Sequence, residues 1–481
     1  MKKKEKKYGL LKGVLIFAVI AFVLTWVIPA GGFTSTGYAE TGMTRLGLYD
    51  LAYTIYYALS FAVDKIVVLL VIGAFYGVIT KTEAYERIVS GIARKLNKKV
   101  AVVLFSVILA VLTSLLTQTF AVLIFVPFIV SILNRMKLDK MTILATTFGS
   151  ILVGIMGATY GTDGVNMFKY YLGYTMEIPY TMPALLIRGG ILLIGLVLFN
   201  FFTLTHMSKV SENEESVDFF PVEVTDEKAK KTKNMIPIIV IGVLVFVLVI
   251  LGFVNWNGNW GIDSFNDFHT LISEDIKIEG ATESSDDFFI IKDILGTNMT
   301  ALGTWNNITI SAVLIIFLVI LALCYRFKLD DFIDSIKSGV KKVLLPCACI
   351  FGAYVVMIIV YQSTYVATIV SKLLTLTESF NIATMTLSSL ILNIFHTDLG
   401  FTGWVVGSFL PVEYVDYMNP VYVIFTTLYG FVQFFIPTSM ILGIGLVSLK
   451  VKFKDWLKYI WKFLVGVFIC LLVIFILMTI I

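Results

Sequence analysis

Apolar runs long enough to cross a bilayer follow one another along almost the whole chain, and the lysines and arginines are gathered between them. A spanning helix takes roughly 20 apolar residues, and hydrocarbon tolerates only backbone whose N–H and C=O groups are all paired internally. The pattern therefore predicts an all-α polytopic membrane protein with no separate soluble domain. Composition agrees: 58% of the 481 residues are hydrophobic, 15% are charged, and the mean hydropathy is +0.90, a surplus no water-soluble core could hide. The lysine-rich start, 1–12, precedes an apolar run (10–30) too long for a signal-peptide core and without a small-residue cleavage site, so it reads as a retained first span. Cys324, Cys347, Cys349 and Cys470 lie in or beside apolar runs without metal spacing and read as packing residues.

Lys and Arg collect on the cytoplasmic side of short loops, which orients the chain. The N-terminus falls inside, with 81–99, Arg135 to Lys140, the linker 206–234, 326–342 and 450–462. The loop 255–306 falls outside, carrying nine acidic residues against Lys277 and Lys292. Expected spans are 10–30, 66–82, 141–172, 183–205, 235–254, 307–325, 343–361, 421–449 and 457–481, about nine transmembrane helices. Two further apolar segments, 100–133 and 380–411, begin and end on one side, and each has a polar cluster at its midpoint. Both are expected to be re-entrant hairpins.

These events occur twice. An amphipathic stretch (48–65, then 329–342) leads into a span, a surface segment, a polar-tipped hairpin and a long helix broken at Gly157–Gly164 or at Ile436–Ser439. The charge pattern gives the copies opposite orientation, so 1–205 and 326–450 read as an inverted repeat, joined by the linker and the connecting helices of 235–325 and followed by a last helix in 451–481. Broken helices expose peptide dipoles at membrane depth, where they are tolerated beside a polar cavity. Gly and Pro that merely kink helices or allow close packing are the plainer explanation.

Two stretches resemble a known family: Thr25-Trp26-Val27-Ile28-Pro29-Ala30-Gly31-Gly32-Phe33 and Val71-Ile72-Gly73-Ala74-Phe75-Tyr76-Gly77-Val78-Ile79-Thr80-Lys81-Thr82. Both are similar to the YfcC-type carriers of the ion transporter superfamily, which are related to the anaerobic four-carbon-dicarboxylate carriers and more distantly to the AbgT carriers. Layout is similar over nearly the whole chain, wording over the first hundred residues. The resemblance implies a homodimer whose transport region, two opposed hairpins and two broken helices, moves against a scaffold. Where those carriers have an acidic pair at the first hairpin tip, this chain has Thr117-Gln118.

The candidate site follows from the interruptions. Ser114, Thr117, Gln118 and Thr119 at the first tip offer hydroxyls and an amide to a substrate, or else bond back to their own helix. At the second tip are His396, Thr397 and Asp398, and an ionisable group deep in a bilayer is costly and usually functional. Thr159, Thr438 and Ser439 sit at the breaks, where half-helix N-termini favour a carboxylate. Asp163 and Asp398 are candidates for a coupling ion, Na⁺ or H⁺, with no other cofactor. Arg188 reads as a snorkelling residue, and Trp456, Trp461, Trp256, Trp260 and Trp305 as interfacial anchors. The expected function is secondary active transport of a small carboxylate-bearing solute in a bacterial inner membrane, without nucleic acid as a partner. An amino acid fits first and a four-carbon dicarboxylate second, because no positive side chain is seen at either tip. An intramembrane enzyme lacks any G-x-S-x-G, H-E-x-x-H or phosphate-loop pattern, and a channel would need a continuous polar lining.

Overall fold

The computed structural model describes residues 9–34, 37–161, 182–210, 219–221, 234–278, 287–296, 298–400, 402 and 412–478. Asp163, the segment 162–181 and the stretch 403–411 lie outside the described residues. The first half contains α1 (Gly9–Leu24), a two-stranded hairpin of β1 (Ala30–Thr34) and β2 (Gly37–Gly42), α2 (Asp50–Ile79), α3 (Glu83–Lys95), α4 (Lys98–Leu115), α5 (Thr119–Arg135), α6 (Lys140–Met156) and α7 (Met182–Met207). The connecting helices are α8 (Ile236–Phe253) and α9 (Asn307–Cys324). The second half holds α10 (Leu329–Ser363), α11 (Tyr365–Leu374), α12 (Ile382–Phe395), α13 (Met418–Val432) and α14 (Met440–Ser448), and α15 (Phe453–Leu477) follows.

Seven of these helices, α2, α4, α7, α8, α9, α10 and α15, are long and apolar enough to cross a membrane. The sequence count of nine differs in both directions. α1 is 16 residues long and the segments 141–172 and 421–449 are interrupted, so no single helix in these three reaches spanning length, whereas α4, expected as the first arm of the hairpin 100–133, is by itself long enough. The amphipathic stretches also differ from expectation. Neither is a separate surface element: 48–65 runs on into α2, 30 residues and about 45 Å long, and 329–342 runs on into the 35-residue α10. No glycine or proline separates the charged from the apolar part of α2, so nothing ends the helix there. This places Asp64 and Lys65 midway along a continuous apolar helix.

The helices pair in the same way in both halves. α4 packs on α6 as α12 packs on α13, α2 packs on α10, and the interrupted α6 and α13 cross each other. Both crossings are close because glycine is there. A Cβ at Gly339 would fall on the backbone of Gly73 and Gly77 of α2, and a Cβ at Gly430 would fall on the backbone of Met156 at the end of α6. The buried core runs continuously through these contacts, and Cys347 and Cys349 are buried free thiols within it.

At the charged start of α6, Asp139 is the N-cap, accepting from the backbone N–H of Met141 at 3.0 Å and of Thr142 at 3.1 Å. Burial pushes its pKa up, but the hydrogen bond from His206, 3.3 Å away, and those from Thr142 outweigh this and hold the carboxyl below its usual value. A lowered carboxyl pKa stabilises the fold above the unfolded-state value, and that contribution is lost as pH falls through the folded-state value. Asp139→Ala is therefore expected to lower unfolding stability by about 1–2 kcal/mol at pH 7. Thermal scans at stepwise lower pH should show the two proteins converging below about pH 4; a constant gap would contradict the assignment.

Candidate substrate and ion site

The polar stretch of the first hairpin ends α4, and its carbonyls are taken up by the first break. The backbone N–H groups of Thr159 and Gly161 donate to the Ser114 carbonyl oxygen at 3.1 and 2.8 Å. The Ser114 and Thr159 hydroxyls are 2.9 Å apart, and Ser114 Oγ also donates to the Gly157 carbonyl at 3.2 Å. Tip and break are thus one hydrogen-bonded unit. Thr117, next to it, sends both its N–H and its hydroxyl to the Phe253 carbonyl at the end of α8, 2.8 and 3.0 Å away. Thr119 starts α5.

Arg188 is not a snorkelling residue. It lies two turns inside α7, fully buried, and its side chain reaches into the first break. Nε donates to the Ala158 carbonyl, and Nη1 to the hydroxyls of Thr426 and Thr427 on α13, the latter at 3.1 Å. Nη2 faces the Ile155 and Met156 carbonyls at 3.4 and 3.5 Å. Five acceptors meet the five N–H groups of a guanidinium. Three of them are carbonyls at the C-terminal end of α6, which carries the helix's negative dipole end; of these the Ile155 carbonyl also takes the Ala158 N–H at 3.2 Å. Arg188 therefore closes that end and ties it to α13.

The second tip follows α12. His396 is buried and turns Nδ1 back to the Leu392 carbonyl at 3.2 Å, so its ring is held by its own helix. Thr397 is fully buried; its carbonyl accepts from Tyr429 Oη of α13 at 2.8 Å, while its hydroxyl has no partner. Asp398 accepts from Tyr354 Oη of α10 at 2.5 Å and from the Gly400 N–H at 3.0 Å, and Lys65 Nζ of α2 lies 3.7 Å away.

Lys65 joins the two tips. Its ammonium is 3.2 Å from Asp64, Asp64 accepts from Asn307 Nδ2 of α9 at 2.9 Å, and the same nitrogen donates to Gln118 Oε1 of the first tip at 3.3 Å. A continuous polar chain thus runs Gln118, Asn307, Asp64, Lys65, Asp398, Tyr354. Lys65 and Arg188 are the positive side chains that sequence reasoning did not see at the tips. Lys65 was masked by its position at the boundary of an apparent surface stretch, and Arg188 by its nearness to a helix start. The recoverable signal was an ionisable pair and a lone arginine inside otherwise apolar helices.

The second interruption is longer than Ile436–Ser439, covering 433–439. Within it the Phe434 carbonyl accepts from the Trp456 Nε1–H of α15 at 2.8 Å. Trp456 is fully buried in that role, so it is not an interfacial anchor; Trp461 is 53% exposed. Ser439 is the N-cap of α14, yet its side chain makes no cap bond. The hydroxyls of Thr438 and Ser439, 1% and 2% exposed, have no partner, nor does the side-chain nitrogen of Gln433. Among the described residues no three His, Cys, Asp or Glu side chains come together as a metal site. A cavity of about 360 Å³ beside α2 and α8 is lined by apolar and aromatic side chains such as Phe75, Phe128 and Phe246 and touches none of these groups.

Fold and site together define a multi-pass helical membrane protein in which two interrupted helices cross beside two polar tips. No protein-family model matches the chain, and no curated protein matches it. Among solved structures it is similar to the YdaH transporter of Alcanivorax borkumensis, with a TM-score of 0.45 and 10% identity over 98% of this chain and 98% of that one.

Proposed function

We propose that the chain is a secondary active transporter of the YfcC type, an ion-coupled symporter or exchanger for a small carboxylate-bearing solute. The setting is a bacterial inner membrane with the N-terminus cytoplasmic, and the working unit is a homodimer. The observation that carries the reading is the start of α14, where two buried hydroxyls without partners stand at a half-helix N-terminus inside an interruption. Free N–H groups and hydroxyls at such an end suit a carboxylate, by charge and by hydrogen bonding. The reading of 100–133 and 380–411 as opposed hairpins, and of the two halves as an inverted repeat, is supported by their matching helix pairings and by the polar chain between the tips.

An amino acid remains first choice. Two carboxylates, Asp64 and Asp398, surround the single Lys65 ammonium, so the tip region favours an added positive charge, either the solute's ammonium or a coupling Na⁺ or H⁺. A four-carbon dicarboxylate is second: Arg188 adds a positive charge near the crossing, but its N–H groups already have acceptors. The test is uptake into vesicles of labelled amino acids and four-carbon dicarboxylates under imposed Na⁺ and proton gradients. Losing two hydrogen bonds to a charged group, about 1.5 kcal/mol each, weakens binding about 100-fold. The Thr438→Ala/Ser439→Ala variant should raise the half-saturating concentration by that factor at unchanged unfolding temperature. No uptake of either class, or unchanged affinity in the variant, would reject the proposal.

A further inference from the structure

Asp64, Lys65 and Asp398 form a three-charge group with a formal surplus of one negative charge, set at the middle of α2 and the second tip. Their side chains are 33%, 19% and 24% exposed, so solvent screens them only in part. Lys65 is the cation that faces both carboxylates among the described residues. It is held by a carboxylate on each side and lies 5.4 Å from the centre of the Tyr354 ring. Asn307, whose Nδ2 donates to Asp64 and Gln118, is 1% exposed and keeps its Oδ1 without a partner. Thr397 Oγ1, adjoining Asp398, is likewise buried and without a partner. Carboxylate, amide and hydroxyl oxygens suit a hard cation, and the surplus of one negative charge matches a monovalent one.

Resting on the carrier reading above, we infer that Lys65 is a tethered cation that competes with a free monovalent cation for Asp398, and so sets how strongly the protein depends on that cation. The ammonium and the incoming ion cannot both neutralise one carboxylate at full strength, because like charges at this separation repel. Lys65 is hydrogen-bonded to Asp64 at 3.2 Å and reaches Asp398 at 3.7 Å, so the site is filled from within and α2 is linked to the second tip. A free cation on Asp398 leaves Lys65 with Asp64 alone, freeing the tip from α2. Competition of this kind lowers the apparent affinity for the cation without changing the oxygens that bind it.

The test uses the purified full chain and needs no transport. Thermal unfolding is followed while NaCl replaces choline chloride at constant ionic strength, and again across pH 5.5 to 8.5. Binding at 100 times the dissociation constant raises the unfolding temperature by a few degrees, about 3 °C for a chain of this size. In Lys65→Gln the Na⁺ response should saturate at a concentration at least tenfold lower than in wild type. It should vanish in Lys65→Gln/Asp398→Asn. Lys65→Arg, whose fork grips a carboxylate more tightly, should shift the response to higher Na⁺, which keeps the inference testable if the glutamine variant does not fold. A Lys65→Gln midpoint that rises with acidity and ignores Na⁺ assigns the competing ion as the proton. A response unchanged by any Lys65 substitution, or absent throughout, overturns the inference. Vesicles that take up no solute although the cation response follows Lys65 would instead defeat the carrier reading alone.

Discussion

Arg188→Met is expected to lower unfolding stability by about 3–5 kcal/mol and to abolish solute uptake, the largest effect of any single side chain in the site. Methionine matches the length of the arginine stem but supplies no donors. The Ala158 and Met156 carbonyls, now served by the guanidinium, would be left in a dry interior, while the Ile155 carbonyl keeps the Ala158 N–H at 3.2 Å. An orphaned buried acceptor costs roughly 1–3 kcal/mol, and the longer contact to Met156 counts toward the low end of that range. The Thr426 and Thr427 hydroxyls are less exposed to loss, because Thr426 can bond the Tyr422 carbonyl of its own helix at 2.7 Å. Arg188→Lys should recover less than half the loss, since an ammonium cannot span the fork between α6 and α13. The comparison is a thermal scan in detergent beside uptake in vesicles. A methionine variant as stable as wild type would show that the break is satisfied by other groups and that Arg188 does not hold it.

What could be read in advance followed from local rules. α8 and α9 stand close to their expected limits because an apolar run bounded by polar residues determines a spanning helix by itself. The interruptions could be read because Gly157, Gly161 and Pro437 end helices by their own geometry. The partners of the charges could not. Lys65 looked like the end of a surface stretch because a charge in an apolar run is tolerated only with a partner, and its partners are Asp64 beside it and Asp398 far along the chain. Asn307, Tyr354 and Thr426 reach the site from three different helices, and no sequence spacing announces such meetings. Trp456 failed for the opposite reason: lysines on both sides make it look interfacial, while a single carbonyl at Phe434, left open by the second break, draws it inside. Fold class is a matter of hydropathy and was legible. The site depends on long-range pairing and was legible only as a set of places where helices stop.

Gly430→Val is expected to separate the two interrupted helices and remove both folding stability and uptake, whereas Gly242→Ala on α8 should be neutral or stabilising. Both residues are helical, Gly242 within α8 and Gly430 in the last turn of α13, and in a helix interior propensity alone favours alanine over glycine by about 0.5–1 kcal/mol. Their surroundings decide the sign. A Cβ at Gly242 meets nothing within 4 Å, so only the propensity gain remains. At Gly430 it would fall on the Cα and N of Met156, atoms of a backbone that cannot rotate away as a side chain would. The helices must then move apart, and overpacking of this kind costs about 3 kcal/mol or more. Separation has a second effect, because Met156 is the last residue of α6 and the Arg188 bonds to α13 cross at the same place. Widening the crossing stretches those bonds and the polar contacts of the first break together, so loss of stability and loss of uptake should appear at once. Gly430→Ala should show the same direction with a smaller loss. Alanine and valine variants of Gly430 that unfold at the wild-type temperature would mean that α6 and α13 do not meet there, and with that the joining of the two halves at one centre would fail.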